Sequence, residues 1–421
     1  DGHRRRKWFL AMTKRPSTAN ADRVRCVGPA KLPRWNSASE AASDANCCVA
    51  DLQTPCYILY KSILERNAQR MLDRAAHLGC MLRPHVKTHK TLQGGIICTG
   101  GTKRRIVVST LAEAQFFADG GFDDIIYAVP ITADKLPLAA ALALKLQAFH
   151  ITVDHRDALD AVLERAPAIG KPWSVFLMMD CGYGRDGVDP TDPDSITMVR
   201  RLTENAGVAA FAGIYTHGGH SYDHEGTDGD IALKVRETAA EEAQAAAAFA
   251  KRIKGEGIDV PVVGIGSTPT CSNPPSQGLE GVNEMHPGNY CYYDVMQERL
   301  GSCTEEDIAV RVVMRVIGHY PKKNLLLVDM GWTACSKQGE ACGFGRIEGH
   351  PELTVAGLKQ EAGLLKSTDG KQLDFARYAL GMQLRLEPYH SCAHTKQHDR
   401  IHVLADDQQT VIDTWAICQG W

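Results

Sequence analysis

From about residue 79 the chain alternates short β-branched or apolar runs with alanine-rich amphipathic stretches, the pattern of βα units repeated along a parallel sheet. Eight runs can be marked: Met81 to Val86, Ile106 to Ser109, Asp124 to Val129, His150 to Asp154, Ser174 to Asp180, Phe211 to His217, Val260 to Gly266 and Val282 to His286. Helical periodicity fills the gaps, as in Thr110 to Phe117 and Ala239 to Ile253. Eight such units predict an α/β chain with a closed (β/α)8 TIM-type barrel rather than a doubly wound open sheet. After residue 300 helical periodicity largely disappears, and strands are expected over Ile308 to Ile317, Asn324 to Asp329, Leu353 to Ala356, Gln383 to Leu386, Arg400 to Leu404 and Thr410 to Ala416. These predict a separate antiparallel β domain. The expected division is an extension over 1–50, a barrel over 51–299 and a β domain over 300–421.

A chain of 421 residues, 44% hydrophobic, can bury a large core. Its net charge of -3 offers no basic face for nucleic acid or an anionic membrane surface. No apolar run approaches the ~20 residues of a membrane span. Fourteen cysteines are scattered without CxxC pairs, as buried thiols in a reducing compartment would be, so a cytoplasmic location is expected. The opening Asp1-Gly2-His3-Arg4-Arg5-Arg6-Lys7 and the residues that follow have little periodicity and read as lying outside the fold. Their Arg-rich, acid-poor character makes an organelle-targeted precursor the alternative.

Barrels of this kind carry their chemistry on the loops at the C-terminal ends of the strands. Lys87 stands there after the first run, within Arg83-Pro84-His85-Val86-Lys87-Thr88-His89-Lys90. A lysine becomes a covalent catalyst when burial lowers its pKa and frees the amine, although the same octapeptide also reads as a solvated charged turn. Asp180 to Arg185 follow the fifth run, Tyr215 to His220 close the sixth, Gly264 to Thr268 follow the seventh and His286 to Tyr290 the eighth. The last two loops occupy positions where such barrels bind phosphate, because glycines expose backbone N–H groups and small hydroxyls add donors. A lysine opposite a phosphate cradle points to pyridoxal 5'-phosphate held as a Schiff base.

Farther along, His390 and Cys392 stand at i and i+2. On a strand they would share a face and could ligate one ion, and imidazole with thiolate favours zinc over magnesium or calcium. Two protein ligands would leave positions open for water or substrate. A buried cysteine beside a hydrogen-bonded histidine is the competing reading. His394, His398 and His402 crowd the same region without deciding between the two.

Five segments carry a family resemblance: Leu82 to Thr91, Val108 to Ala114, Gly121 to Ile125, Gly266-Ser267-Thr268-Pro269 and His390-Ser391-Cys392. Together they resemble the family that joins the eukaryotic D-serine dehydratases with the D-threonine aldolases, pyridoxal phosphate enzymes of alanine-racemase-like fold. The likeness runs from about Asp51 to the C-terminus. It implies that Lys87 holds the cofactor and takes the substrate α-proton, with His85 beside it. Arg185 would stand near the cofactor phenolic oxygen or the substrate, with an ion pair to Asp180 or Asp186 as its alternative. Tyr215, His217 and Tyr222 would surround the ring. Gly266, Ser267, Thr268, Gly288 and Asn289 would bind the phosphate, and Tyr290 would add its hydroxyl. The metal on His390 and Cys392 would be zinc, with manganese or magnesium as alternatives.

The resemblance also implies a homodimer in which the β domain of one chain completes the barrel mouth of the other, bringing the metal pair to Lys87. The implied reaction is β-elimination of D-serine, and of related D-β-hydroxy amino acids such as D-threonine, to a 2-oxo acid and ammonia. One alternative is D-threonine aldolase cleavage to glycine and an aldehyde, in enzymes that carry HxD where this chain has His390-Ser391-Cys392. Dehydration of 3-hydroxyaspartate is another. A bare cofactor carrier of related fold would lack the β domain.

Overall fold

The computed structural model describes residues 47–421 apart from residue 169, together with the backbone of Arg25–Cys26, which pairs in parallel with Arg165–Ala166. The remainder of the expected extension, and the targeting reading with it, lies outside the described residues.

Eight parallel strands form the first sheet: Met81–Leu82, Ile106–Val108, Asp124–Pro130, Ala148–Val153, Trp173–Met178, Ala209–Tyr215, Val262–Ile265 and Glu284–Met285. Each lies on one of the eight expected runs. The eighth strand pairs with the first, and beyond Leu82 the chain reaches a parallel bridge between His85 and Val107. There the Val86 N–H donates to the Val107 carbonyl and the Val107 N–H to the Pro84 carbonyl, both at 2.9 Å. The sheet therefore closes into a barrel, with Val107, Ile126, Phe176, Met178 and Tyr215 packed together inside. At Gly213, with φ +148, an added Cβ would lie 2.2 Å from the Val262 carbonyl oxygen, so glycine is what lets the sixth and seventh strands approach.

The second sheet has nine strands. Eight come from the C-terminal part: Val310–Tyr320, Leu325–Val328, Gly345–Ile347, Leu353–Leu358, Gly363–Ser367, Gln383–Pro388, Arg400–Leu404 and Val411–Ala416. The ninth, Cys56–Tyr60, comes from the segment assigned to the barrel. It lies antiparallel to Val310–Tyr320 and parallel to Arg400–Leu404, so the sheet is mixed rather than purely antiparallel. All five of its residues are buried, and a continuous apolar run reads the same for either sheet. Gly345–Ile347 and Gly363–Ser367 were not anticipated, being short and glycine-led. The fold also begins before residue 51, because Cys48 bridges Thr410 and Val49 is buried. Among the described residues no helix is long and apolar enough to cross a membrane.

Candidate active site

Beyond the first barrel strand the chain turns tightly: the Lys90 N–H donates to the Val86 carbonyl at 2.9 Å, and Lys90 takes φ 52. The turn sends the two lysines of the octapeptide apart. Lys90 is buried in an ion pair with Glu113, whose other oxygen accepts the Ser109 N–H at 2.6 Å and the Thr110 N–H at 3.2 Å. Lys87 instead enters a cavity of about 320 Å³ lined also by His85, Tyr183, His217, Tyr222, Ser267, Thr268, His286, Gly288, Asn289, Met296, Gln338, His390 and Cys392. Neither aspartate nor glutamate is among those residues. Desolvation lowers the Lys87 pKa, partly opposed by Cys392 and reinforced by Arg185.

The histidines of the wall are held neutral. Burial, then the charge of Lys87, puts His85 and His217 well below the usual imidazole range, and burial takes His286 down to about 3. Hydrogen bonds fix their tautomers. His217 donates from Nδ1 to the Gly266 carbonyl at 2.6 Å, which leaves Nε2 free to accept. His286 donates from Nε2 to the Thr216 carbonyl at 2.7 Å and keeps a buried Nδ1 without a partner. Its ring stacks on Tyr215 at 3.9 Å. Tyr215 therefore supports His286 from behind and does not line the cavity.

The seventh and eighth strand loops form the far wall, where the Thr268 hydroxyl accepts the Asn289 N–H at 2.9 Å. An added Cβ at Gly266 would lie 2.9 Å from the His286 nitrogen, and one at Gly288 would lie 2.9 Å from the His85 carbonyl oxygen. Bare backbone is required at both. Behind this wall Glu242, on the helix Ile231–Gly255, accepts the Gly218 N–H at 2.7 Å and the Gly266 N–H at 2.9 Å. Burial pushes its carboxyl up to about 7, against the hydrogen bonds from Thr270, Gly218 and Gly266. A folded-state value above the ordinary one means that the native state holds the proton longer, so stability is lost as pH rises from about 4.5 to about 7. Glu242→Gln is expected to remove about 2–3 kcal/mol of the stability difference between pH 5 and pH 8. Urea unfolding of both proteins at the two pH values checks it, and an unchanged difference would refute a carboxyl buried in this way.

The metal pair does not lie on a strand as expected. His390 precedes the short helix Ser391–Thr395, because buried Asp294 accepts the Ser391 N–H at 2.8 Å and its hydroxyl at 3.2 Å, turning the chain. Both side chains still reach the cavity. Gln338 Oε1 lies 2.8 Å from His390 Nδ1, and Thr88 Oγ1 lies 3.1 Å from Cys392 Sγ. Burial opposes charge on both residues but is outweighed by their mutual attraction, which raises the His390 pKa and lowers that of Cys392. The cysteine is thus biased toward the thiolate that binds metal. The pair meets Lys87 within one chain, so a partner's β domain is not what brings them together.

Other expected residues fall elsewhere. Arg185 does not line the cavity but stands at its edge, exposed, paired with Asp186 at 3.0 Å and 5.3 Å over the ring of the lining residue Tyr183, from where its charge acts on Lys87 and His217. Tyr290 is wholly buried with its hydroxyl beside Cys98, away from the cavity. His394 and His398 bond to the His390 and Ala334 carbonyls, and His402 to Thr414, rather than joining the pair. Tyr183, His286, Met296 and Gln338 line the cavity without having been selected. His286 carried a signal, its place at the end of the eighth strand, whereas nothing near Gln338 pointed to the site.

Residues 61–295 match the family described as alanine racemase, N-terminal domain, and residues 309–404 match a serine dehydratase domain. The chain is 36% identical to a D-serine dehydratase of Dictyostelium discoideum over 88% of its own length and 98% of that protein. It is 33% identical to the D-threo-3-hydroxyaspartate dehydratase of Delftia sp., again over 88% and 98%. The solved structure of that enzyme superposes with a TM-score of 0.83, covering 89% of this chain and 100% of that one. Variants of it have been solved with a histidine or a cysteine replaced by alanine, two positions apart, the cysteine variant in a metal-free form. A D-threonine aldolase from Filomicrobium marinum, 24% identical, has the same fold with a TM-score of 0.78, covering 90% of this chain and 98% of that one. Barrel, mixed sheet and sequence agree: the chain belongs to the alanine-racemase-like family of lyases, characteristically pyridoxal phosphate enzymes, that contains the D-serine dehydratases.

Proposed function

We propose that this cavity dehydrates a D-β-hydroxy amino acid, D-serine foremost, to a 2-oxo acid and ammonia, using pyridoxal phosphate and zinc. The observation that carries the reading is the meeting of Lys87 with the His390–Cys392 pair in one cavity free of acidic side chains. The residues present fit the cofactor: a desolvated lysine, neutral imidazoles, the bare backbone of Gly288 and the hydroxyls of Ser267 and Thr268 suit a phosphorylated aldehyde. They fit the metal as well, since an imidazole beside a thiolate-biased cysteine is a soft donor pair that selects zinc over magnesium or manganese.

When bound, pyridoxal phosphate supplies an electron sink for the substrate α-carbon, and zinc supplies Lewis acidity toward the β-hydroxyl. Lys87 would anchor the cofactor, and its amine, which burial keeps from holding a proton too tightly, would take the substrate α-proton. Ser267, Thr268, Gly288 and Asn289 hold the phosphate. His217, with Nε2 open as an acceptor, and Tyr222 line the cavity and would flank the cofactor ring, while His85 accepts the Lys87 N–H at 3.4 Å and steadies the loop. A homodimer and a cytoplasmic location belong to the same reading, the latter supported by buried thiols such as Cys181 and Cys271.

Aldol cleavage is the second reading, favoured by the shared fold of the aldolase. Product analysis with D-threonine separates the two. 2-Oxobutyrate and ammonia are expected, with turnover lowered at least ~10²-fold in Cys392→Ala by the loss of several kcal/mol of metal assistance. Glycine and acetaldehyde would overturn dehydration, and full activity of Cys392→Ala would overturn the metal's role.

A further inference from the structure

We propose that His89, Cys98 and Cys291 form a second cation site, outside the cavity, that binds zinc in a structural role. Cys291 is about two hundred residues from His89 and Cys98, yet the ligating atoms of the three all lie within 4.8 Å of one another. Each side chain is about 1% exposed. Tetrahedral zinc, with bonds of ~2.0 Å to nitrogen and ~2.3 Å to sulfur, places ligand atoms roughly 3.5 Å apart, so a small contraction brings these three to coordinating distance, with the Tyr290 hydroxyl beside Cys98 as the oxygen for the fourth position.

Two buried polar atoms bear on it, each lacking a nitrogen or oxygen partner and each facing the Cys98 sulfur. One is His89 Nε2 and the other is the Tyr290 hydroxyl, which lies within electrostatic reach of Cys98. Buried polar groups rarely remain unpaired, and a cation would use the first as a ligand and provide a partner close to the second. The imidazole is also held in place. An added Cβ at Gly94 would lie 2.7 Å from His89 Nδ1, and the Phe117 and Tyr292 rings meet His89 edge-on at 6.2 and 6.3 Å. Nδ1 accepts the Thr91 N–H at 3.1 Å and lies 3.3 Å from the Thr91 hydroxyl, so metal at Nε2 requires the ring proton to move to Nδ1 and be donated to that hydroxyl.

Charge selects the ion. The surroundings are apolar and closed, so an uncompensated charge there is costly. Zinc(II) with two thiolates and a neutral imidazole sums to zero, whereas copper(I) on the same set leaves a net negative charge. Binding displaces one proton from each thiol to solvent, and no electrons move. The hydrogen bond between Cys98 and Cys291 lowers the Cys98 pKa, while burial and that same bond raise the Cys291 pKa, so the positive charge of the ion is what would hold both as thiolates. The ion would tie the loop carrying Lys87 to the segment that follows Gly288, fixing the anchor relative to the phosphate wall.

The test removes the catalytic pair, so it does not depend on the reading of the cavity. The variant His390→Ala/Cys392→Ala, expressed with zinc and dialysed, is expected to retain one zinc per chain by elemental analysis. Cobalt(II) exchanged into it is expected to give a thiolate charge-transfer band. Adding Cys98→Ser or Cys291→Ser should abolish both signals, with circular dichroism confirming the fold. A metal-free double variant overturns the proposal even if the cysteine variants fail to fold. Zinc that survives both serine substitutions overturns it too, as does a Cys98–Cys291 disulfide found by mass analysis of the double variant.

Discussion

Lys87→Ala is expected to abolish reductively trappable pyridoxal and to lower lyase turnover by at least ~10²–10⁴-fold, the range lost when a positioned proton-transfer group is removed. The anchor's loss should deepen that effect, because the same amine both holds the cofactor and moves the proton. The structure makes the choice of lysine testable. Lys90, three residues on, is spent on the buried pair with Glu113, while Lys87 faces the cavity with no carboxylate on its walls. Lys90→Met should therefore destabilise the chain by stranding Glu113 yet leave the trapped pyridoxal at position 87. Mass analysis of the borohydride-reduced protein decides the matter. Label retained in Lys87→Ala, or moved by Lys90→Met, would sink the assignment.

The largest expected stability effect lies inside the barrel. Arg83 is 4% exposed and bridges Asp124 at 2.6 Å and Glu284 at 2.9 Å, joining the first, third and eighth strands where the ring closes. Burial raises the Asp124 carboxyl, but His150 and Arg83 outweigh it and hold the group charged. Arg83→Leu would leave buried carboxylates facing one another and should cost about 3–5 kcal/mol. Glu284→Gln in the same chain should recover part of that loss by neutralising one of them. The midpoint of urea unfolding measures both changes. A loss below about 1 kcal/mol, the size of an exposed pair, would show that water reaches the cluster and relieves it.

The barrel was legible because a strand buried on both faces needs a short β-branched run and its helix needs an amphipathic one, and both are local patterns. Ile106–Val108 illustrates the first, and the helix Arg156–Leu163, which buries Leu159 and Val162 and exposes Arg156, Asp157 and Asp160, the second. Cys56–Tyr60 was misplaced because sheet membership is decided by a partner more than two hundred residues away, and hydrophobicity carries no address. Lys87, Ser267, Thr268, Gly288 and Asn289 were legible for a related reason: strand order dictates that loops at one end of a barrel converge.

Direction is what the sequence could not supply. Tyr290 follows Asn289 directly, yet its hydroxyl points to Cys98 rather than to the phosphate wall. Arg185 had an ion pair as its alternative reading, and in the structure it pairs with Asp186. The amino-acid sequence by itself determined the barrel and the end at which its loops converge, since both are carried by local periodicity, while Lys87 and the His390–Cys392 pair were set apart from their competing readings by the family resemblance. Only the tertiary structure decided that the pair reaches Lys87 within one chain, that Lys90 is neutralised by Glu113, and that His89, Cys98 and Cys291 meet. Those are distances across the core, set by closure of one sheet and its packing against another, and no local pattern encodes them.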